Sequence, residues 1–192
     1  MKSALLGLVL VLGTLAGVSV RSQNTVSISS VASSGAISEN RYINSCFNLT
    51  VDAPTATLQL SPAVNTTGQY ARLVQVLSDK ATWENTYTLA VNAEPLTNLA
   101  RFPDTPPARY VRSVRHQLEK EGLLTVREEF PISIGGEEFT GAVLQVQEEN
   151  GRKHYRGIYT TFRKGYILSI DAEASSEAKL SEIVTRMVKF GK

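Results

Sequence analysis

Cysteine, histidine and tryptophan are nearly missing from this chain. In 192 residues there is one cysteine, Cys46, one tryptophan, Trp83, and two histidines, His116 and His154. One cysteine closes no internal disulfide, so stability has to come from a core, and the length allows one domain with a sizeable one. Neither histidine has a second metal-type ligand at helical or hairpin spacing, so no metal site or cofactor is implied. There is no nucleophile elbow, phosphate loop or dinucleotide fingerprint. Cys46 with a distant histidine is a composition and not a thiol-hydrolase signature. No catalytic residue is assigned.

A charge excess is lacking too. The 20 Lys and Arg stand against 18 Asp and Glu, and two of the basic residues, Lys2 and Arg21, flank the apolar run Ala4–Val20. A short basic start, an apolar stretch and a small-residue close describe a secretory signal peptide over 1–22. Its removal would leave 18 basic against 18 acidic residues, which gives no basis for nucleic-acid binding. Retention of the segment as a membrane anchor is the competing reading. Residues 23–40 are Ser-rich with few large apolar side chains, and read as a flexible tether. A single domain is expected over 41–192, exported to the periplasm or the exterior, with no span left after cleavage.

Within that domain the residues from Ile134 to Phe190 carry the clearest pattern. Phe139–Gln147, Lys153–Arg163 and Tyr166–Ala172 are rich in β-formers, and the Leu123–Ile134 run precedes them. Gly135-Gly136, Asn150-Gly151 and Lys164-Gly165 supply turn chemistry between them. Four successive strands with short links make an antiparallel meander. Neither side of these strands is cleanly polar, so cover is expected on both faces. The segment after them, capped by Ser175 or Ser176, places Leu180, Ile183, Val184, Met187 and Val188 on one helical stripe. Upstream, Phe47, Leu49 and Val51 alternate with Cys46, Asn48 and Thr50 as a strand ended by Pro54. Ala71–Leu77 and Tyr87–Ala93 read as two more strands, with Trp83 between them as a loop-packing residue or a recognition anchor.

A helix is expected from Pro107 to Glu121, stopped by Gly122. Tyr110, Val111, Val114 and Leu118 form its apolar stripe. Arg109, Arg112, Arg115, His116 and Lys120 lie on the other side, opposed only by Glu119 and Glu121. This is the candidate binding surface, suited to a protein partner or an anionic surface in the envelope. Asp171 and Glu173 share a strand face and are a weak candidate for a hard cation.

The order strand, two strands, helix, four strands, helix resembles the PsbP/DcrB-like group of small α/β proteins. The pattern Tyr42-x-Asn44-x-x-Phe47-x-Leu49-x-Val51-x-x-Pro54 is similar to that group's opening strand. Tyr155–Phe162, Gly165–Ile170 and the final helix are similar to its closing hairpin and helix. Where the group continues from proline to Gly-Trp, this chain has Pro54 followed by Thr55-Ala-Thr-Leu58. The resemblance implies an α+β fold: an antiparallel sheet with a four-strand C-terminal meander, covered by helices on both faces as an α/β/α sandwich. It also implies a non-enzymatic binding or accessory role, with no residue assignments. The alternatives are a secreted hydrolase without a recognisable motif and a membrane-tethered domain.

Overall fold

The computed structural model describes residues 27–53, 56–59, 70–78, 82–96, 107–148 and 150–191; the leader expected over 1–22 lies outside them. The chain begins with α1 (Ile28–Ser33), then β1 (Gly35–Ser38), β2 (Arg41–Asn44), β3 (Leu49–Asp52), β4 (Ala56–Gln59) and β5 (Ala71–Ser78). A 3₁₀ turn (Trp83–Asn85), β6 (Tyr87–Pro95) and α2 (Pro107–Lys120) follow. The meander is β7 (Leu124–Ile134), β8 (Glu137–Gln147), β9 (Lys153–Arg163) and β10 (Tyr166–Ala174), and α3 (Glu177–Met187) and β11 (Val188–Phe190) close the chain. Among the described residues two antiparallel sheets form. The larger runs β4-β5-β6-β10-β9-β8-β7 and the smaller β1-β2-β3-β11.

The expected α+β architecture and the meander are borne out. Gly135 and Gly136 both take positive φ, 59° and 88°, and Lys164 and Gly165 do the same at 50° and 81°. Two successive left-handed residues give the turn whose twist matches a hairpin, so these links need only two residues. The first pair has a further reason to be glycine. A Cβ on Gly135 would lie 2.6 Å from the Cα of Lys189 in β11, whereas one on Gly136 would meet nothing within 4 Å. The Asn150-Gly151 link departs from expectation. Only Gly151 has positive φ there (80°), and the loop closes through Glu148 N–H donating to Arg152 O at 2.8 Å. Asn150 Oδ1 accepts from Arg152 N, so its side chain substitutes for a turn hydrogen bond.

Helices cover both faces of the large sheet. α2 rests on β7, β8 and β9, where Leu118 packs with Leu144 and Ile158. On the other face, Leu180, Ile183, Val184 and Met187 of α3 join Leu168, Ile170 and Tyr159 in the main core. Each such side chain contributes about 1.5–3 kcal/mol on burial. Ser176 caps α3, its Oγ accepting from Lys179 N at 3.2 Å.

Three local expectations are corrected. The tether assigned to 23–40 contains α1 and β1, and Val31 of α1 is wholly buried in the main core. Its neighbours explain why. Asn44 is itself fully buried and donates from Nδ2 to Val31 O and to Tyr42 Oη, both at 3.0 Å, while its Oδ1 accepts from Phe47 N. A polar stretch that looks unable to fold alone is held by one buried amide. Second, the opening strand is broken. Residues 45–48 form a turn with Asn48 at φ 50°, so Cys46 is a half-buried turn residue and not part of a strand face. Third, Val188 leaves the helix and enters β11, which pairs with β3. Tyr42, Asn44, Phe47, Leu49 and Val51, the positions that carry the family resemblance at this end, are all wholly buried and serve packing.

Candidate functional site

The basic side of α2 is internally neutralised. Arg115 is only 6% exposed and donates from Nε to Glu129 at 2.9 Å and from Nη1 to Glu119 at 2.7 Å. Arg112 donates to the other oxygen of Glu129 at 3.1 Å, and His116 Nδ1 lies 2.8 Å from Glu119. Thr125 Oγ1 also donates to Glu119, at 2.5 Å. These hydrogen bonds, led by Thr125 and then His116, hold the Glu119 carboxyl down at about 2. Burial of Glu129 opposes its ionisation, but Arg115 and Arg112 outweigh it and its carboxyl is lowered. Of the predicted set, Arg109, Arg112, His116 and Lys120 are exposed and only Arg115 is buried. The carboxylates come from β7 as well as from the helix, and helical spacing gives no sign of Glu129. The candidate surface is therefore a network tying α2 to β7, with Arg115 inside it.

A different constellation lies on the same face of the large sheet, beyond the reach of α2. Lateral pairing sets Arg72 beside Asn92 and Ser169, Gln75 beside Ala90 and Asp171, and Thr88 beside Glu173 and Arg156. Cross-strand partners share a face. Arg156 pairs in turn with Leu144, and Asp171 with Ile158, both beneath α2, so these polar residues continue the face that the helix covers farther along. Among them lies a hollow of about 270 Å³ lined by Arg72, Gln75, Thr88, Leu89, Ala90, Asp171 and Glu173. At its end, and sharing Thr88 and Glu173 with it, is a cleft of about 150 Å³ with Trp83, Glu148, His154 and Ser175 in its wall.

The geometry of the cleft comes from the two irregular connections at this end of the sheet. The 3₁₀ turn after β5 presents Trp83, whose ring meets His154 edge-on at 6.0 Å between centroids. The widened β8–β9 loop carries Arg152, with its guanidinium carbon 5.5 Å from the Trp83 centroid. Cation–π contacts of this kind add about 0.5–1 kcal/mol at exposed sites. His154 stands between two acids: Nδ1 is 3.4 Å from Glu148 and Nε2 4.0 Å from Glu173. Nδ1 is buried and lacks a partner in hydrogen-bond geometry, as does Arg72 Nε at the far end of the hollow. Asp171, weighed as a cation ligand, is held by Arg156 through Nε at 2.9 Å and Nη2 at 2.5 Å. That pairing is the largest factor raising the Arg156 pKa. Among the described residues no group of three or more His, Cys, Asp or Glu could hold a metal ion.

Ser175 Oγ donates to the backbone oxygen of Glu84 at 3.0 Å, so the hydroxyl in the cleft is committed to a structural bond. Trp83 stood out in sequence as either a loop-packing residue or a recognition anchor, and Asp171 as a weak cation ligand. That they share a region with His154, Glu148 and Arg72 was not legible, because these residues come from three strands, β5, β9 and β10, and two connections.

Comparison with known proteins gives similarity in fold only. LpqN of Mycobacterium tuberculosis, described as involved in cell envelope biogenesis, superposes with a TM-score of 0.47 at 11% identity, over 73% of this chain and 82% of that one. A protein of Bacteroides thetaiotaomicron VPI-5482 gives 0.45 at 12% identity, over 81% of this chain and 50% of that one. No protein-family model and no curated protein matches the chain.

Proposed function

We propose that this chain is an exported, non-catalytic binding domain of the cell envelope whose ligand surface is the polar sheet face ending at Trp83. The observation that carries the reading is the joined hollow and cleft, where a tryptophan and half-buried polar side chains from β5, β6, β9 and β10 face open space beside α2. The cleft alone is below the roughly 300–1,000 Å³ of a typical small-molecule site, so it seats one group of a ligand lying along the hollow. Export rests on the leader-like sequence at 1–22; among the described residues no helix is long and apolar enough to cross a membrane. Kinship with the PsbP/DcrB-like group belongs to the same proposal. The basic helix is the second candidate surface, through Arg109 and Lys120.

Trp83 is the sole tryptophan, so its emission reports on the cleft directly. The test titrates the purified chain lacking 1–22 with maltotriose, citrate, spermidine and dodecylphosphocholine micelles. A saturable change with any one of these is expected, kept in an Arg109→Glu/Lys120→Glu variant and weakened at least tenfold in Asp171→Asn/Glu173→Gln. The opposite pattern would move the ligand to α2. Conversion of a probe into product would replace binding by catalysis, and no saturable change with all four would remove the reading.

A further inference from the structure

We infer that this groove takes a neutral, polyhydroxylated ligand, a short saccharide, with one ring against Trp83; the inference rests on the binding reading above and names its ligand class. Charge balance is the first argument. Arg72, Arg152 and Arg156 face Glu148, Asp171 and Glu173, three of each sign, and the strongest pair, Arg156 with Asp171, is already closed. An anion or a cation entering here would meet little net field and would have to break an existing pair. A hydroxyl is different: it donates to a carboxylate and accepts from a guanidinium at once, so it adds to such a network without opposing it.

The second argument is the length of the groove. From the Thr88 row to the Asn92 row is four residues of extended strand, about 13 Å, the span of a short oligosaccharide and too long for a single small ion. The third argument is Trp83 itself. Its ring is broad, apolar and only partly covered, with polar groups around its rim, which suits the C–H face of a pyranose whose edge carries hydroxyls.

The experiment uses isothermal titration and Trp83 fluorescence on the chain lacking 1–22, with chitotriose, cellotriose and maltotriose as probes and citrate and spermidine as charged comparisons. At least one trisaccharide is expected to saturate while citrate and spermidine do not. Trp83→Ala and Arg72→Ala should each weaken it at least tenfold by calorimetry, and Trp83→Phe, which keeps an aromatic ring, by less than about threefold. Melting temperatures of all three variants establish that they are folded, and Arg72→Ala serves if the Trp83→Ala chain is not. Saturation by citrate or spermidine with silent trisaccharides would overturn the saccharide assignment and leave the binding domain standing. Silence of all five probes would count against both. Trisaccharide binding indifferent to Trp83 and Arg72 would overturn the placement.

Discussion

Arg115 is the residue whose surroundings make the clearest quantitative demand. Its side chain and that of Glu129 are 8% and 9% exposed, and Glu119 closes the other side. Removing one partner of a buried pair leaves the other uncompensated, so Arg115→Ala is expected to cost about 3 kcal/mol in urea unfolding at pH 7. The carboxyls add a pH dependence of definite sign. Glu119 and Glu129 ionise more easily in the folded chain than the ordinary 4.5, Glu119 at about 2. Their stabilisation is therefore complete above about 4.5 and is lost as the pH falls toward 2. Thermal melts should show a falling melting temperature across that window. Asp52 and Glu182, also lowered by their lysine partners, share in the decline. The slope should be shallower in Glu119→Gln; an unchanged slope would mean that Glu119 contributes nothing to it. The same residue shows a limit of reading charge from sequence. Arg115 sits at helical spacing with Arg112, and only the arrival of Glu129 from β7 puts it inside.

At the scale of elements, the meander was legible because each signal is local. Strand alternation sets which side chains share a face, and Gly135-Gly136 and Lys164-Gly165 set where the chain reverses. The β2–β3 hairpin was hidden because its turn, Ser45-Cys46-Phe47-Asn48, contains neither glycine nor proline, and only Asn48 hints at a left-handed residue. α1 was hidden for another reason: six residues of mostly serine and alanine do not make a stable helix alone. It exists because Val31 fills the core and Asn44 holds its carbonyl. Deleting residues 23–34 is accordingly expected to cost about 2–4 kcal/mol in urea unfolding, from lost burial of Val31 and from leaving Asn44 underbonded. Stability equal to that of the undeleted chain would restore the tether reading for the whole stretch.

In the whole molecule, the last strand closes the small sheet. β11 pairs with β3, Lys189 reaches Asp52 at 2.7 Å, and Phe190 packs on Phe139 at 5.8 Å between centroids. Ending the chain after Met187 should free β3 from its outer neighbour while the meander persists. Hydrogen exchange is expected to speed at Thr50, which lies opposite Lys189, and to stay slow at the centre of β9 around Tyr159. Equal loss of protection in both would mean that the two sheets unfold as one unit.

By itself the sequence determined the class of fold, the four-strand meander, the two long helices with their buried stripes, and the lack of a nucleophile, phosphate-loop or dinucleotide-binding motif. Those follow from periodicity, caps and turn residues, which act over a few positions along the chain. The tertiary structure decided which charges are spent on each other and where the groove lies. Arg115 meets Glu129, Arg156 meets Asp171, and Trp83 meets His154 across 71 positions of sequence because β6, β10 and β9 stand side by side. Strand order depends on how whole faces are buried, and residue spacing within one strand does not encode it.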